Sequence, residues 1–222
     1  MKKFRLLATL LVVALCTTTI FTSCRNGDDD GGNGAFEIRA TNVDTDDLHS
    51  DNRIATVRAE LLFWDKVNDK GRTLTVGEAP FQNNGFILPL IDDVPSTFLY
   101  SITEIAVAPE LTISDRNARI TYEMELLALN SGGDEIGFFR LRGYGANLDE
   151  LGAFWIYADR NVTVRGTFRG GCCCGSLEQY WNLNLSRGWN AVYSYYVSTN
   201  TLVLRITSQR PSGADLEWRF WN

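Results

Sequence analysis

The sequence predicts an all-β fold in which short antiparallel strands form two packed sheets. The first observation is the spacing of apolar residues, which from Ala35 onward recur mostly at every second position. This spacing is typical of a strand with one buried face. The second observation is the frequency of turn signals between the apolar runs, such as Asn83-Asn84-Gly85 and Pro211-Ser212-Gly213. The third is that no long window shows the spacing of about 3.6 residues that an amphipathic helix requires.

Turn signals divide the chain into short runs, each long enough for one strand. We predict strands at 35–42, 53–64, 72–76, 84–91, 97–107, 118–129, 135–144, 153–158, 161–168, 179–185, 190–198, 201–208 and 215–221. The alternation is clearest in four of these runs. Their apolar positions are Val57, Ala59, Leu61 and Phe63, then Ile120, Tyr122, Met124 and Leu126, then Leu202, Leu204 and Ile206, then Leu216, Trp218 and Phe220. The residues between them are mostly polar or charged, so one face of each strand is expected to meet solvent.

Many short strands joined by tight turns favour a sandwich of the immunoglobulin-like or jelly-roll-like kind, with a closed lipocalin-like barrel as the alternative. Residues 35–222 contain no stretch with the composition of a linker. The turn signals at 130–134 are only long enough for a turn. We therefore expect 35–222 to form a single all-β domain.

Composition and charge exclude several classes of function. The chain has 222 residues, 27 acidic against 21 basic, and a net charge of −6. Nucleic-acid binders rely on clustered basic residues, so we expect no nucleic-acid partner. His49 is the single histidine, which excludes a metal site built from several histidines. We expect no cofactor.

The N-terminus carries the pattern of a secreted lipoprotein. Residues 2–5 are mostly basic, an apolar run follows at 6–21, and Ser23 precedes Cys24. The run is shorter than the roughly 20 residues of a membrane span but suits a cleaved signal peptide. We therefore predict a signal peptide at 1–23, lipidation at Cys24, and a flexible acidic tether at 24–34 that is rich in glycine and aspartate.

Two parts of the chain resemble surface lipoproteins of Bacteroidetes-type bacteria. Ser23-Cys24 resembles a bacterial lipobox, although Phe21 stands where an aliphatic residue is usual, and Asp28-Asp29-Asp30 resembles the export tag of these proteins. The aromatic run at 180–190 resembles their pattern of a strand, a Gly-Trp-Asn turn and a second strand. The resemblance implies lipid anchoring in the outer membrane, facing the cell exterior, and leaves activity open because such proteins have no settled one.

Cys172-Cys173-Cys174 lies between glycines and allows three interpretations. Adjacent residues of an extended chain point in opposite directions, so three adjacent thiols make a poor cage for one metal ion. A disulfide between neighbours would be strained, because adjacent Cα atoms are about 3.8 Å apart. The readings left open are the tip of a hairpin without chemistry, an intermolecular disulfide, and metal or redox chemistry.

An acidic segment offers a weak calcium candidate. Asp44, Asp46 and Asp51 could gather the oxygen ligands that Ca²⁺ prefers. The segment lacks the glycine and the closing glutamate of the helix-loop-helix calcium motif, so we interpret it as a solvated loop. His49 lies in the same loop and is interpreted as an exposed polar residue.

Aromatic residues are the better functional lead. The last third of the chain is rich in Trp and Tyr, whose flat faces stack on sugar rings or fill pockets of a protein partner. Most of them must form the core of a sandwich, and we expect two or three to be exposed. The candidate ligand-binding residues are Trp189 in the Gly188-Trp189-Asn190 turn, the near-terminal Trp221, and Tyr196.

These observations lead to three hypotheses about function. The leading one is a surface-anchored lipoprotein that acts as a non-catalytic binding module for a glycan or another surface protein. The second is a structural or envelope-assembly lipoprotein that has no small ligand. The third is a glycoside hydrolase, which requires two carboxylates across a cleft. No catalytic residue is assigned.

Overall fold

The computed structural model describes residues 36–46, 48, 53–65, 69–106, 108–145, 148–172, 175–197 and 202–222. Its elements are β1 (Glu37–Ala40), β2 (Thr56–Asp65), β3 (Lys70–Pro80), β4 (Phe86–Pro89), a 3-10 helix (Ser96–Phe98), β5 (Tyr100–Ser101), α1 (Ile102–Ile105), β6 (Thr112–Ile113), β7 (Arg119–Ile120), β8 (Glu125–Leu129), β9 (Glu135–Gly145), β10 (Leu148–Ala158), β11 (Val162–Cys172), β12 (Gly175–Leu185), β13 (Gly188–Val197), β14 (Leu202–Thr207) and β15 (Asp215–Trp221). Because strands dominate the described residues, the prediction of an all-β fold is confirmed.

The strands form a small sheet and a large, curled sheet. β1 and β4 make the small sheet, and the large one has the order β3-β2-β8-β9-β10-β13-β14-β12-β11-β6. β12 and β14 are parallel, whereas the neighbouring pairs are antiparallel. β8 pairs with the first half of β9 and β10 with the second half, while β15 lies along the opposite edge of β9. The large sheet therefore divides at β9.

Two hydrophobic cores lie on opposite faces of β10 and β13. Trp155 and Tyr157 of β10 face the first core, whereas Ile156 and Ala158 face the second. The first core also takes residues from the small sheet and from β2, β3, β8, β9 and β15. The second is covered by the segment around α1 and by β11 and β12. Because both faces of β10 and β13 are buried over much of their length, these strands are denser in large apolar residues than a half-exposed strand.

Most of the Trp and Tyr residues in the last third of the chain belong to the cores or pack against them, as expected. Trp155 and Trp218 stack in the first core with ring centroids 5.6 Å apart and an interplanar angle of 2°. Their exposed fractions are 3% and 4%. Both indole N–H groups are buried without a hydrogen-bond partner, so the packing of the rings must offset the cost of two unpaired donors.

Two predicted strands are interrupted. Within 97–107 the chain forms β5 and then α1, because the Ser101 hydroxyl accepts a hydrogen bond from the amide of Thr103 and begins a helical turn. Within 118–129 the chain first runs beside β10, where Met124 donates its amide N–H to the Trp155 carbonyl at 3.2 Å. It then pairs with β2 and β9 as β8. One alternating run thus covers two strands with different neighbours.

Two glycines of β9 let β15 approach closely. A Cβ at Gly143 would overlap the backbone carbonyl of Asp215, and one at Gly137 would overlap that of Trp221. Gly137 also has a φ of 149°, a conformation that residues with side chains rarely adopt. These glycines therefore fix the path of the final strand, which carries Trp218 into the core and Trp221 to the surface.

Candidate functional site

A groove of about 280 Å³ opens on the face of β9, β10, β13 and β14 that lies away from the first core. We call it the Arg140 groove. It is lined by Glu123, Arg140, Leu141, Arg142, Gly152, Ala153, Phe154, Ser194, Tyr196 and Leu204. Its volume is slightly below the roughly 300 to 1,000 Å³ that is usual for a small-molecule site. An open site of this size suits one or two sugar units better than a large cofactor.

Strand alternation and register place these residues together. Phe139 and Leu141 of β9 face the first core, so Arg140 and Arg142 face the opposite way. Arg142 pairs with Gly152 of β10, and Gly152 pairs with Ser194 of β13. The glycine therefore lies between an arginine and a serine.

Gly152 keeps the floor of the groove open. A Cβ at this position would meet the Ser194 Oγ at 3.7 Å and no other atom within 4 Å. Its φ lies outside the left-handed region, so the backbone does not require glycine here. The absent side chain leaves room for a ligand.

The two arginines of the Arg140 groove differ in their ion pairs. Arg140 lies 3.9 Å from the Glu123 carboxylate, whose side chain is 53% exposed. The groove walls displace part of its water, and this desolvation raises the pKa of Glu123 despite the lowering effect of Arg140 and Arg142; Glu125 adds to the rise. Within the described residues, no ion pair holds Arg142, so its guanidinium can meet an anionic group.

Aromatic rings flank the same arginines. The guanidinium carbon of Arg142 lies 5.6 Å from the centre of the Trp221 ring, and that of Arg140 lies 4.9 Å from the Phe138 ring. Trp221 is 37% exposed, and Tyr196 is half-buried in the groove wall. Cation–π contacts of this type hold an arginine in place while its hydrogen-bond donors stay free. The result is an apolar platform beside fixed hydrogen-bond donors.

A second groove, of about 350 Å³, opens on the opposite face of β13 and β14. We call it the Arg205 groove. Tyr195 and Arg205 line this groove, whereas their neighbours Tyr196 and Leu204 line the first. Because adjacent residues of a strand point to opposite faces, the same two strands form a wall of both grooves.

Of the three aromatic candidates, Tyr196 lines the Arg140 groove, Trp221 lies beside it through its contact with Arg142, and Trp189 does neither. Trp189 is only 8% exposed, so the prediction that it is exposed is wrong. Its indole N–H donates to the Ile91 carbonyl at 2.8 Å, and its ring packs edge-on against Tyr157 at 5.6 Å. Trp189 is a core residue.

The error arose from placing Trp189 in the turn. Ser186 and Arg187 connect β12 to β13, and Gly188, with a φ of 101°, begins β13. The Asn190 side chain accepts from the Ser186 amide at 2.9 Å and donates to the carbonyls of Ser186 and Gly188 at 2.8 Å. The Gly-Trp-Asn pattern thus combines a turn glycine, a core ring and a side chain that fixes the turn.

The remaining candidates contribute no assembled site. Asp44 accepts a hydrogen bond from the Asp46 amide at 3.1 Å and lies 4.0 Å from Arg219, while Asp51 falls outside the described residues. The part of the chain that the structure describes holds no group of three or more potential metal ligands. Cys24 and His49 also fall outside it.

The cysteine cluster is described only at its first residue. Cys172 ends β11 and pairs with Gly175 at the start of β12. Cys173 and Cys174, between those two residues, fall outside the described residues. The three readings of the cluster therefore stay open.

The arginines of both grooves were missed from the sequence. Arg140 and Arg142 alternate with Phe139 and Leu141, which signals an arginine-bearing outer face of one strand. What the sequence did not reveal is that this face meets Ser194 and Tyr196, since that contact depends on the pairing of β10 with β13.

Comparisons with protein-family models, with curated proteins and with solved structures found no match. Among the described residues, no helix has the length and apolar character needed to cross a bilayer.

Proposed function

We propose that this protein is a surface lipoprotein that binds an acidic glycan in the Arg140 groove and does not hydrolyse it. The observation that carries the proposal is the contact between Arg142 and Trp221 at the groove, 5.6 Å from guanidinium to ring centre. A sugar ring can stack on the exposed part of Trp221 while its carboxylate accepts hydrogen bonds from Arg142. Tyr196 and Ser194 add further polar contacts along the wall.

A carboxylate-bearing sugar fits the charges better than a neutral one. The described lining residues carry two arginines and one glutamate, so the lining is positively charged overall. An arginine pairs with a carboxylate through two parallel hydrogen bonds, which selects for the geometry as well as the charge.

Hydrolysis would need a second carboxylate. Retaining and inverting glycosidases place two acids about 5 to 9.5 Å apart across the scissile bond. Glu123 is the only carboxylate among the described residues that line the groove. We therefore propose binding without turnover, and release of reducing ends from the bound polysaccharide would contradict that part of the proposal.

The anchor belongs to the same proposal. Lipidation at Cys24 and the acidic tether at 24–34 would hold the domain at the outer membrane, facing the cell exterior, as the lipobox-like sequence implies. Metabolic labelling with a palmitate analogue should mark the wild-type protein and leave Cys24→Ala unlabelled. A labelled Cys24→Ala protein would contradict the anchor.

Affinity electrophoresis tests the glycan. Native gels that contain an acidic polysaccharide such as polygalacturonate or alginate should retard the wild-type protein. Trp221→Ala and Arg142→Gln should each weaken binding at least tenfold, which corresponds to about 1.4 kcal/mol. Trp64→Ala is the matched control, because Trp64 is 47% exposed on β2 and lines neither groove. Equal retardation of the wild type and the Trp221 and Arg142 variants would refute the proposed site.

A second candidate function is the docking of a protein partner in envelope assembly. Leu62 and Trp64, exposed by 52% and 47%, lie on one face of β2, and a Cβ at Gly71 would touch the Trp64 ring at 3.3 Å. Exposed apolar side chains that cluster in this way are typical of contact surfaces. Crosslinking in outer-membrane fractions should then give a partner that Leu62→Ser with Trp64→Ser abolishes, with no retardation in any polysaccharide gel.

A further inference from the structure

The Arg205 groove is built from one row of side chains across three strands. Tyr180 of β12 pairs in register with Arg205 of β14, and Arg205 pairs in turn with Tyr195 of β13. Residues directly opposite each other on paired strands share a face. The arginine therefore lies between two tyrosines, and its guanidinium carbon is 5.1 Å from the centre of the Tyr180 ring.

The lining of this groove is basic and carries no described acid. Its residues are Tyr180, Asn182, Tyr195, Arg205, Ile206, Thr207, Gln209, Arg210, Pro211 and Ser212. Arg165 of β11 pairs with Asn182 and so adds a third arginine on the same face. The chain as a whole carries −6. This groove is therefore a positively charged region on a negatively charged protein. A cleft strengthens the electrostatic potential of the charges that line it.

The nearest acid on β12 is already engaged. Glu178 lies two residues before Tyr180 and accepts a hydrogen bond from Arg169 at 2.7 Å. This contact lowers the pKa of Glu178, and a hydrogen bond from Tyr180 lowers it further. Among the described residues, no carboxylate forms an ion pair with Arg205, and its guanidinium packs on the Tyr180 ring.

The loop that closes the groove is held by hydrogen bonds before any ligand arrives. The Ser208 amide donates to the Asn182 carbonyl at 3.3 Å, and the Ser208 hydroxyl accepts from the Asn184 amide at 2.9 Å. Arg210 donates to the Ala214 carbonyl at 2.9 Å, a contact that orients the guanidinium without neutralising it. A preorganised wall reduces the entropy lost on binding.

We propose that the Arg205 groove is a second binding site, which takes an oxyanion, either a carboxylate or a phosphate, between Arg205 and Arg210. The planar guanidinium of Arg205, steadied on Tyr180, offers paired N–H donors to two oxygens of the anion. Arg210 approaches from the loop, and Asn182 and Gln209 can donate to the remaining oxygens. The site is separate from the Arg140 groove and does not depend on glycan binding there.

Isothermal titration calorimetry on the full domain tests the site with two probes, inorganic phosphate and trigalacturonate. Arg205→Gln should weaken binding of at least one probe by tenfold or more, and Arg210→Gln should weaken it by a smaller factor. Arg116→Gln, an exposed arginine in the turn between β6 and β7 that lines neither groove, should leave it unchanged. Because Arg205 and Arg210 are exposed, both variants should retain the wild-type unfolding temperature.

The outcomes separate this proposal from the glycan proposal. Binding of phosphate alone identifies a phosphate-bearing ligand, and binding of trigalacturonate alone identifies an acidic sugar. Both titrations are therefore made on Gly152→Leu, in which the Arg140 groove is filled and contributes no trigalacturonate binding of its own. The proposal is overturned if neither probe binds, or if Gly152→Leu abolishes binding while Arg205→Gln has no effect.

Discussion

Substitutions at Gly152 should change ligand binding in the Arg140 groove without unfolding the protein. A Cβ at Gly152 has one neighbour within 4 Å, the Ser194 Oγ at 3.7 Å, which is an ordinary contact. Gly152→Ala therefore introduces no clash, and it removes the excess backbone freedom of glycine in a strand, a gain of about 0.5 to 1 kcal/mol. For a domain of this size the unfolding temperature should rise by about 1 to 4 °C.

A larger side chain at the same position should block the ligand. Leucine at position 152 projects into a groove of only about 280 Å³, so Gly152→Leu should weaken retardation in acidic polysaccharide gels at least tenfold, or about 1.4 kcal/mol. The control is Thr75→Leu, which adds comparable bulk to an exposed position of β3 outside both grooves.

Thermal unfolding is followed by circular dichroism and ligand binding by affinity electrophoresis, both on the same samples. Wild-type affinity in Gly152→Leu would refute the Arg140 groove as the site. A large loss of stability in Gly152→Ala would refute the reasoning about open space above the glycine.

Three further predictions concern the core and the titratable groups. Trp189→Ala should destabilise the protein by about 3 to 5 kcal/mol in urea unfolding, because it leaves a cavity and an unpaired Ile91 carbonyl; unchanged stability with lost glycan binding would contradict a core position. Burial alone would raise the pKa of Asp159, but hydrogen bonds from the Arg160 side chain and the Arg119 amide outweigh it and hold the pKa below its usual value. Asp159 therefore stabilises the fold above about pH 4, and this stabilisation is lost as pH falls through the lowered pKa. Asp159→Ala should cost about 1 to 2 kcal/mol at pH 7 and progressively less as the pH falls below about 4, and a cost that stays constant over this range would contradict the assignment. Because the pKa of Glu123 is raised, the folded protein binds a proton at this carboxyl more tightly than the unfolded chain does. The protonated carboxyl therefore stabilises the fold below about pH 4, and this stabilisation is lost as the pH rises. Glu123→Gln should therefore unfold at a higher temperature than the wild type at pH 7 and at a similar temperature near pH 3. A lower unfolding temperature than the wild type at pH 7 would show that the Arg140 contact outweighs desolvation of Glu123.

The local pattern predicted strands well because alternation is a property of one strand alone. The runs at 135–144 and 215–221 coincide closely with β9 and β15. The strand prediction failed where a side-chain hydrogen bond begins a helical turn, as at Ser101. It also failed where one alternating run passes from one neighbouring strand to another, as at 121–124.

The grooves could be predicted only in part. Tyr196 and Trp221 were singled out as surface aromatics; Tyr196 lines the Arg140 groove, and Trp221 contacts Arg142 beside it. That Arg142, Gly152 and Ser194 form one row depends on pairings between strands far apart in sequence, which no local pattern encodes. Trp189 was misplaced because a turn and the first residues of a strand carry the same Gly-Trp-Asn signal.

The position of β14 has a consequence for the order of folding. β12 and β13 are joined by only Ser186 and Arg187, yet β14 lies between them and is the one described strand that hydrogen-bonds to both. While the chain emerges from the ribosome, the β11–β12 hairpin can therefore form early but cannot join the sheet. Until residues 202–207 arrive, the facing edges of β12 and β13 present unpaired backbone groups, a gap that a strand from another chain could enter. Completion of the sheet thus waits for one late strand of six residues.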